Sequence, residues 1–154
     1  MDRVTVAIAL GSNLGDRAAH LSHAIARLHD YLDDLRVSRF YDTVPVGAPG
    51  PQPLFLNAAA VGQSALPART LLEVLLAVEQ ERGRARPFPN AARSLDLDLI
   101  LFGEARIDEP DLIVPHPRFR ERRFVLEPLA EIAPDLQDPV TGLTIVDLLD
   151  RVPQ

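Results

Sequence analysis

Residues 4–10 (VTVAIAL) are apolar nearly throughout and rich in β-branched side chains, which predicts a buried strand. Residues 11–16 (GSNLGD) read as a turn, with Asn13 or Asp16 placed to cap a helix. From residue 18 to 32 the period becomes helical, and Leu21, Ala24, Ile25, Leu28 and Leu32 fall on one face. His20, His23 and His29 are expected at the surface or boundary of that helix. Residues 35–43 (LRVSRFYDT) alternate, a strand with Leu35 and Val37 inward and Tyr41 the next candidate. Residues 44–53 (VPVGAPGPQP) hold too much proline and glycine for helix or central strand. A loop of that length inside a compact domain is usually functional. Residues 54–63 (LFLNAAAVGQ) return as a strand, antiparallel to 35–43 if the loop closes a wide hairpin.

Pro67 sits at the first turn of a second helix, where its missing N–H costs nothing. That helix runs over 68–83, with Leu71, Leu72, Leu75, Val78 and Glu79 at helical spacing and Gly83 as the stop. Residues 84–90 (RARPFPN) are loop, and 94–103 (SLDLDLILFG) form a strand stopped by Gly103. Residues 107–114 and an arginine-rich stretch follow, then a helix over 125–132 despite Pro128, and a short last element at 144–149. The order strand, helix, strand, strand, helix, strand predicts an α+β protein: a ferredoxin-like βαββαβ sandwich with a C-terminal extension. Such a fold leaves the activity open.

The 154 residues are expected to form one domain, 1–154, with room for a sizeable core. No cysteine is present, so neither disulfides nor Cys-ligated zinc can contribute. The chain carries no apolar run of membrane-spanning length and no secretory pattern, so a cytoplasmic monomer without membrane contact is expected. The net charge of −6 argues against nucleic acid as partner. Two arginine clusters run against it: 82, 84, 86 and 93 with no acid among them, and 118, 120, 122 and 123 opposed by Glu121. They are either solvated surface or the binding groups of a small polyanion.

The candidate chemistry centres on Asp96 and Asp98. In a strand, i and i+2 share a face, which puts these carboxylates side by side at roughly 6.7 Å between Cα atoms. Leu95, Leu97, Leu99 and Leu101 are then expected on the opposite face. Paired carboxylates repel unless a cation joins them, and oxygen donors shared with phosphates suit Mg²⁺. The alternative is a solvated edge strand with two exposed charges.

Several stretches together resemble a known family: residues 9–15 (ALGSNLG), 40–43 (FYDT), 55–59 (FLNAA), 79–84 (EQERGR), 93–103 (RSLDLDLILFG) and 114–129 (VPHPRFRERRFVLEPL). They are similar, in one unbroken order, to the 6-hydroxymethyl-7,8-dihydropterin pyrophosphokinases of folate biosynthesis. The resemblance implies transfer of pyrophosphate from ATP to the pterin's hydroxymethyl oxygen, with AMP leaving. It implies two Mg²⁺ ions on Asp96 and Asp98. It places Arg84 and Arg93 among the catalytic residues, and Glu79, Arg84, Arg86, Arg93, Leu99, His116 and Arg122 at ATP. It places Thr43, Val44, Val46, Phe55, Asn57 and Phe124 at the pterin, with the two phenylalanines as a ring sandwich and Asn57 against the amino-pyrimidinone edge. Core packing is the competing role for Phe55 and Phe124, and loop packing for His116.

The chain departs from the family pattern at four places. A lid tryptophan is missing, with Phe88 the nearest replacement. Asp111 and Ile113 stand for an arginine and a threonine near the nucleotide, Leu76 for a glutamine, and Phe55 for a tyrosine. Two other readings remain at this point: another Mg-dependent nucleotide transferase, and a ferredoxin-like domain that senses a small molecule.

Overall fold

The computed structural model describes residues 3–44, 54–83 and 94–153. Its centre is β1 (Val4–Ser12), flanked by β4 (Phe55–Ser64) and β5 (Asp96–Phe102), both antiparallel to it. Along the outer side of β4 lie β2 (Leu32–Val37) and then β3 (Tyr41–Thr43), again antiparallel. The strand order is therefore β2-β4-β1-β5, with β5 an edge strand.

The sheet is buried on both faces, which is why β1 and β4 read as continuous apolar runs rather than alternating ones. On one face Val6, Ile8 and Leu10 meet Leu21, Ala24 and Leu28 of α1 (Arg17–His29) and Leu71, Leu75 and Val78 of α2 (Ala68–Glu81). On the other face the strands present small residues, Ala7, Ala9 and Ala59, which let α3 (Arg123–Ile132) and α4 (Ile145–Arg151) approach. Val125, Leu126, Leu129, Ile145 and Leu148 fill that second cluster. Between β5 and α3 come the hairpin β6 (Ile107–Glu109) and β7 (Leu112–Val114), then a one-turn 3₁₀ helix, Phe119–Glu121.

The structure revises the sequence expectations at four places. The first helix ends at His29, not Leu32: the Asp30 and Tyr31 amides close the last turn onto Arg27 and Leu28, and Leu32 enters the same core as the first residue of β2. Residues 35–43 are not one strand. The Ser38 hydroxyl accepts from the Ala59 amide and donates to the Arg39 carbonyl, and the pairing breaks there before resuming at Tyr41. Gly11 and Ser12 belong to β1 rather than to a turn. Leu101 leaves the face of Leu95, Leu97 and Leu99, because the pairing of β1 with β5 slips between Ala7↔Leu101 and Ile8↔Leu99. One extra residue, Ile100, bulges, and the alternation inverts beyond it.

Asp16 is the N-cap of α1, its carboxylate accepting from the Ala19 amide at 3.1 Å. His20 and His23 are half-buried and His29 is exposed, as expected of boundary positions.

Candidate active site

Register places the candidate residues in rows across the sheet. Tyr41, Asn57, Gly11 and Asp96 are successive partners on β3, β4, β1 and β5. One row further along, Ala59, Ala9 and Asp98 are partners. Paired residues point to one side, and here it is the side of α3 and α4. Those helices cover Ala7, Ala59 and Val61, so Phe55, Asn57, Gly11 and Asp96 form the other end of the face.

Gly11 is the floor between Asn57 and Asp96. A Cβ there would stand 3.2 Å from Asn57 Oδ1 and 3.6 Å from the Phe55 ring. Asn57 is buried, and its Nδ2 donates to the Thr43 hydroxyl, which fixes the amide against the row. Phe55 is the partner of Thr43 across β3 and β4 and is half-buried. Phe124, in the first turn of α3, packs at the margin of the α3–α4 cluster, with the Arg122 guanidinium 5.6 Å over its ring. Thr43, Phe55, Asn57 and Gly11 thus lie together as a slot with one amide wall and Gly11 as its floor. Val44 is strongly exposed at the end of β3.

On the open side of β5 lies a cleft of about 270 Å³, lined by Leu72, Leu97, Leu99, Asp111, Ile113 and Pro117 together with Asp98 and His116. Its walls mix apolar side chains with the polar groups of Asp98, Asp111 and His116. Asp96 belongs to the slot row and Asp98 to the cleft. The carboxylate pair therefore marks the junction of two differently shaped compartments. Among the described residues, no group of three or more His, Cys, Asp or Glu could hold a metal. Sharing a cation between such a carboxylate pair and oxygens of a ligand is the habit of Mg²⁺ at phosphates.

His116 is tied to β5 through its amide, which donates to the Ile100 carbonyl at 3.0 Å. Burial pushes its imidazole down, Arg122 and Arg118 push it further against the opposing pull of Asp96, and it settles at about 4. The ring is therefore neutral at neutral pH and can serve as a hydrogen-bonding group at the cleft mouth. Glu79 of α2 is buried, and its Oε2 accepts from the Leu97 amide at 2.6 Å. That bond pins β5 between the two aspartates. Leu99 lines the cleft directly. Asp111 does so too, held by Arg69 at 3.0 Å, while Leu76 is exposed on α2 one turn beyond Leu72.

The expectations for Val46, Arg84, Arg86, Phe88 and Arg93 lie outside the described residues. Of the remaining candidates, the structure brings Thr43, Phe55 and Asn57 together around Gly11, with Asp96 in the same row, and Leu99, His116 and Asp98 to the cleft, while Phe124 stands on α3 at the margin of the second cluster. Sequence reading missed Gly11. The available signal was a glycine inside a strand-like run, which marks a close approach.

Residues 7–134 match the model of a family described as 7,8-dihydro-6-hydroxymethylpterin-pyrophosphokinase. The 2-amino-4-hydroxy-6-hydroxymethyldihydropteridine pyrophosphokinase of Bacillus subtilis is 44% identical over 137 residues, 88% of this chain and 81% of that protein. The protein of the same name from Pseudomonas aeruginosa is 41% identical, covering 96% of this chain and 91% of its own. The folic acid synthesis protein fol1 of Pneumocystis carinii is 38% identical over 99% of this chain, which spans only 20% of that protein's length. Among solved structures, wild-type HPPK-DHPS of Plasmodium falciparum superposes with a TM-score of 0.73 at 14% identity, over 97% of this chain and 45% of that one. At that identity the likeness is one of fold.

Proposed function

The chain belongs to the 7,8-dihydro-6-hydroxymethylpterin-pyrophosphokinase family, and from that premise we propose that it transfers pyrophosphate from ATP to 6-hydroxymethyl-7,8-dihydropterin, a step of folate biosynthesis. The hydroxymethyl oxygen attacks the β-phosphorus. The bond from that phosphorus to the oxygen bridging the α-phosphate breaks, AMP leaves, and the hydroxyl proton is lost. The observation that carries this reading is the position of Asp96 and Asp98 where slot and cleft meet. An acceptor in the slot and a nucleotide in the cleft would bring their reacting ends together there.

The pterin would lie over Gly11, between the rings of Phe55 and Phe124, with its amino-pyrimidinone edge toward Asn57 and Thr43 and the backbone of Val44 and Val46 completing the wall. Its hydroxymethyl arm would then point along the row toward Asp96. Adenine and ribose would occupy the cleft beside Leu99, with Glu79 behind it holding the strand. Arginine is permanently charged and binds phosphate through two parallel hydrogen bonds, which suits Arg122 on one side and Arg84, Arg86 and Arg93 on the other. Neutral His116 would contact the same phosphates.

The donor set at Asp96 and Asp98, two carboxylates on one strand face and half-buried, fits Mg²⁺, and we assign two ions to it. Bound there, Mg²⁺ supplies neutralisation of the charge on the phosphates and on the attacking and leaving oxygens. The chain's own residues orient the two substrates, and orientation is most of the work in such transfers. We read the strand order and the paired helices as a ferredoxin-like βαββαβ sandwich, with residues after β5 as the C-terminal extension, in a cytoplasmic monomeric protein that binds neither membrane nor nucleic acid.

The test is one incubation of the protein with ATP, Mg²⁺ and the pterin. AMP with pterin diphosphate is the expected outcome. ADP would indicate single phosphoryl transfer by a different nucleotide transferase, and no turnover with binding would indicate a sensor.

A further inference from the structure

We propose that Asp138 and Arg120 form a positioning pair that sets where Arg122 stands, beside His116, at the polyphosphate end of the nucleotide site. This rests on the pyrophosphokinase reading above. Neither residue lines the slot or the cleft among the described residues.

Asp138 is 0% exposed, in the loop between α3 and α4. A buried carboxylate is costly unless it is paired and its oxygens are bonded. Here Oδ2 accepts from Arg120 Nε at 2.5 Å and from the Thr141 hydroxyl at 2.7 Å, and Oδ1 accepts from Arg120 Nη2 at 2.9 Å and the Val140 amide at 3.0 Å. Burial would raise this carboxyl, but those four bonds outweigh it and hold the group at about 2. The loop's own backbone keeps its shape: the Asp138 amide donates to the Leu143 carbonyl at 2.9 Å, and the Gly142 amide to the Asp138 carbonyl at 2.8 Å. Asp138 is thus a fixed post.

What it holds is the 3₁₀ turn. Arg120 is the central residue of Phe119–Glu121, and its guanidinium also lies 4.8 Å over the buried Phe119 ring. Two residues later Arg122 is the N-cap of α3, its backbone carbonyl accepting from the Val125 and Leu126 amides. Two residues before, Arg118 donates its amide to His116 Nδ1 at 3.2 Å. The segment is tied at its start by the His116–Ile100 bond and near its end by Arg120–Asp138. The four arginines are thereby sorted. Arg120 is spent on Asp138, and Arg123 pairs with Glu127 at 3.1 Å. Arg122 and Arg118 are the two whose charge reaches His116. A fork-to-carboxylate pair fixes direction as well as distance, which a lysine cannot reproduce. A displacement of about 1 Å at a phosphate-binding group can lower catalysis on the order of a hundredfold.

Arg120→Lys keeps the charge and loses the fork. Asp138→Asn keeps the shape and loses the charge. Both are compared with the parent by calorimetric titration, using Mg²⁺ with a non-hydrolysable ATP analogue and, separately, 6-hydroxymethyl-7,8-dihydropterin, at a temperature where melts show each protein folded. The expected result is a nucleotide Kd raised at least tenfold by either change, with the pterin Kd within twofold. The decisive arm repeats Arg120→Lys in an Arg122→Ala background, where it should change the nucleotide Kd less than twofold, because the group it positions is gone. Additive losses in that background, equal weakening of both ligands, or variants that melt earlier but bind nucleotide as the parent does would each overturn the proposal. A parent that binds no nucleotide overturns the pyrophosphokinase reading itself, a failure visible before any variant is made.

Discussion

Gly11→Ala is the sharpest probe of the slot, because it adds one methyl group at a place where the consequences can be worked out in advance. The new Cβ would stand 3.2 Å from Asn57 Oδ1 and 3.6 and 3.8 Å from two atoms of the Phe55 ring. The amide must retreat a few tenths of an ångström, yet its Nδ2 is bonded to Thr43 and its strand is paired on both sides. Overpacking of this kind costs about 1–3 kcal/mol. At ~2–4 °C per kcal/mol for a chain of this size, the melting temperature should fall by several degrees while the protein stays folded. On the proposed placement of the pterin the effect is larger in kind: its floor would be raised and the amide proposed to read its edge would be moved. We expect its Kd to rise ten- to a hundredfold, about 1.4–2.7 kcal/mol. Nucleotide binding, on the far side of β5, should change less than twofold. Titration of each ligand into parent and variant measures this. A variant that binds pterin as the parent does, or that loses both ligands equally, refutes the placement of the pterin over Gly11.

Asp96→Asn and Asp98→Asn should each lower AMP formation at least a hundredfold and remove the thermal stabilisation that Mg²⁺ with nucleotide gives the parent; either variant retaining both would count against the metal assignment. Arg84→Ala and Arg93→Ala should reduce kcat more than they raise the pterin Kd, and the reverse split in steady-state kinetics would place these arginines elsewhere. Asp138 predicts a pH effect. Its carboxyl at about 2 in the folded protein lies below its ordinary 3.8, so its stabilisation is complete above pH 3.8 and is lost as pH falls through 2. Denaturant melts between pH 5 and 2 should show a steeper acid loss in the parent than in Asp138→Asn, and parallel curves would contradict the pairing.

What the sequence determined follows from short-range rules. Continuous apolar runs located β1, β4 and β5, and period 3.6 the first two helices, within a few residues, since burying one or both faces leaves a mark at each position. The spacing of Asp96 and Asp98 fixed their common face by the same rule, and the motifs around them identified the family. Tertiary structure decided what depends on neighbours remote in the chain. Ser38 ends β2 because it bonds to Ala59, and Leu101 changes face because β5 bulges against β1; neither partner can be read from the local pattern. Gly11 is part of the site because Asn57 and Asp96 flank it on other strands. Asp138, an ordinary loop aspartate in the sequence, is a buried anchor because Arg120 reaches it across 18 residues of chain. Local pattern records which face a residue buries; which residues meet across that face is fixed only when the strands take their register.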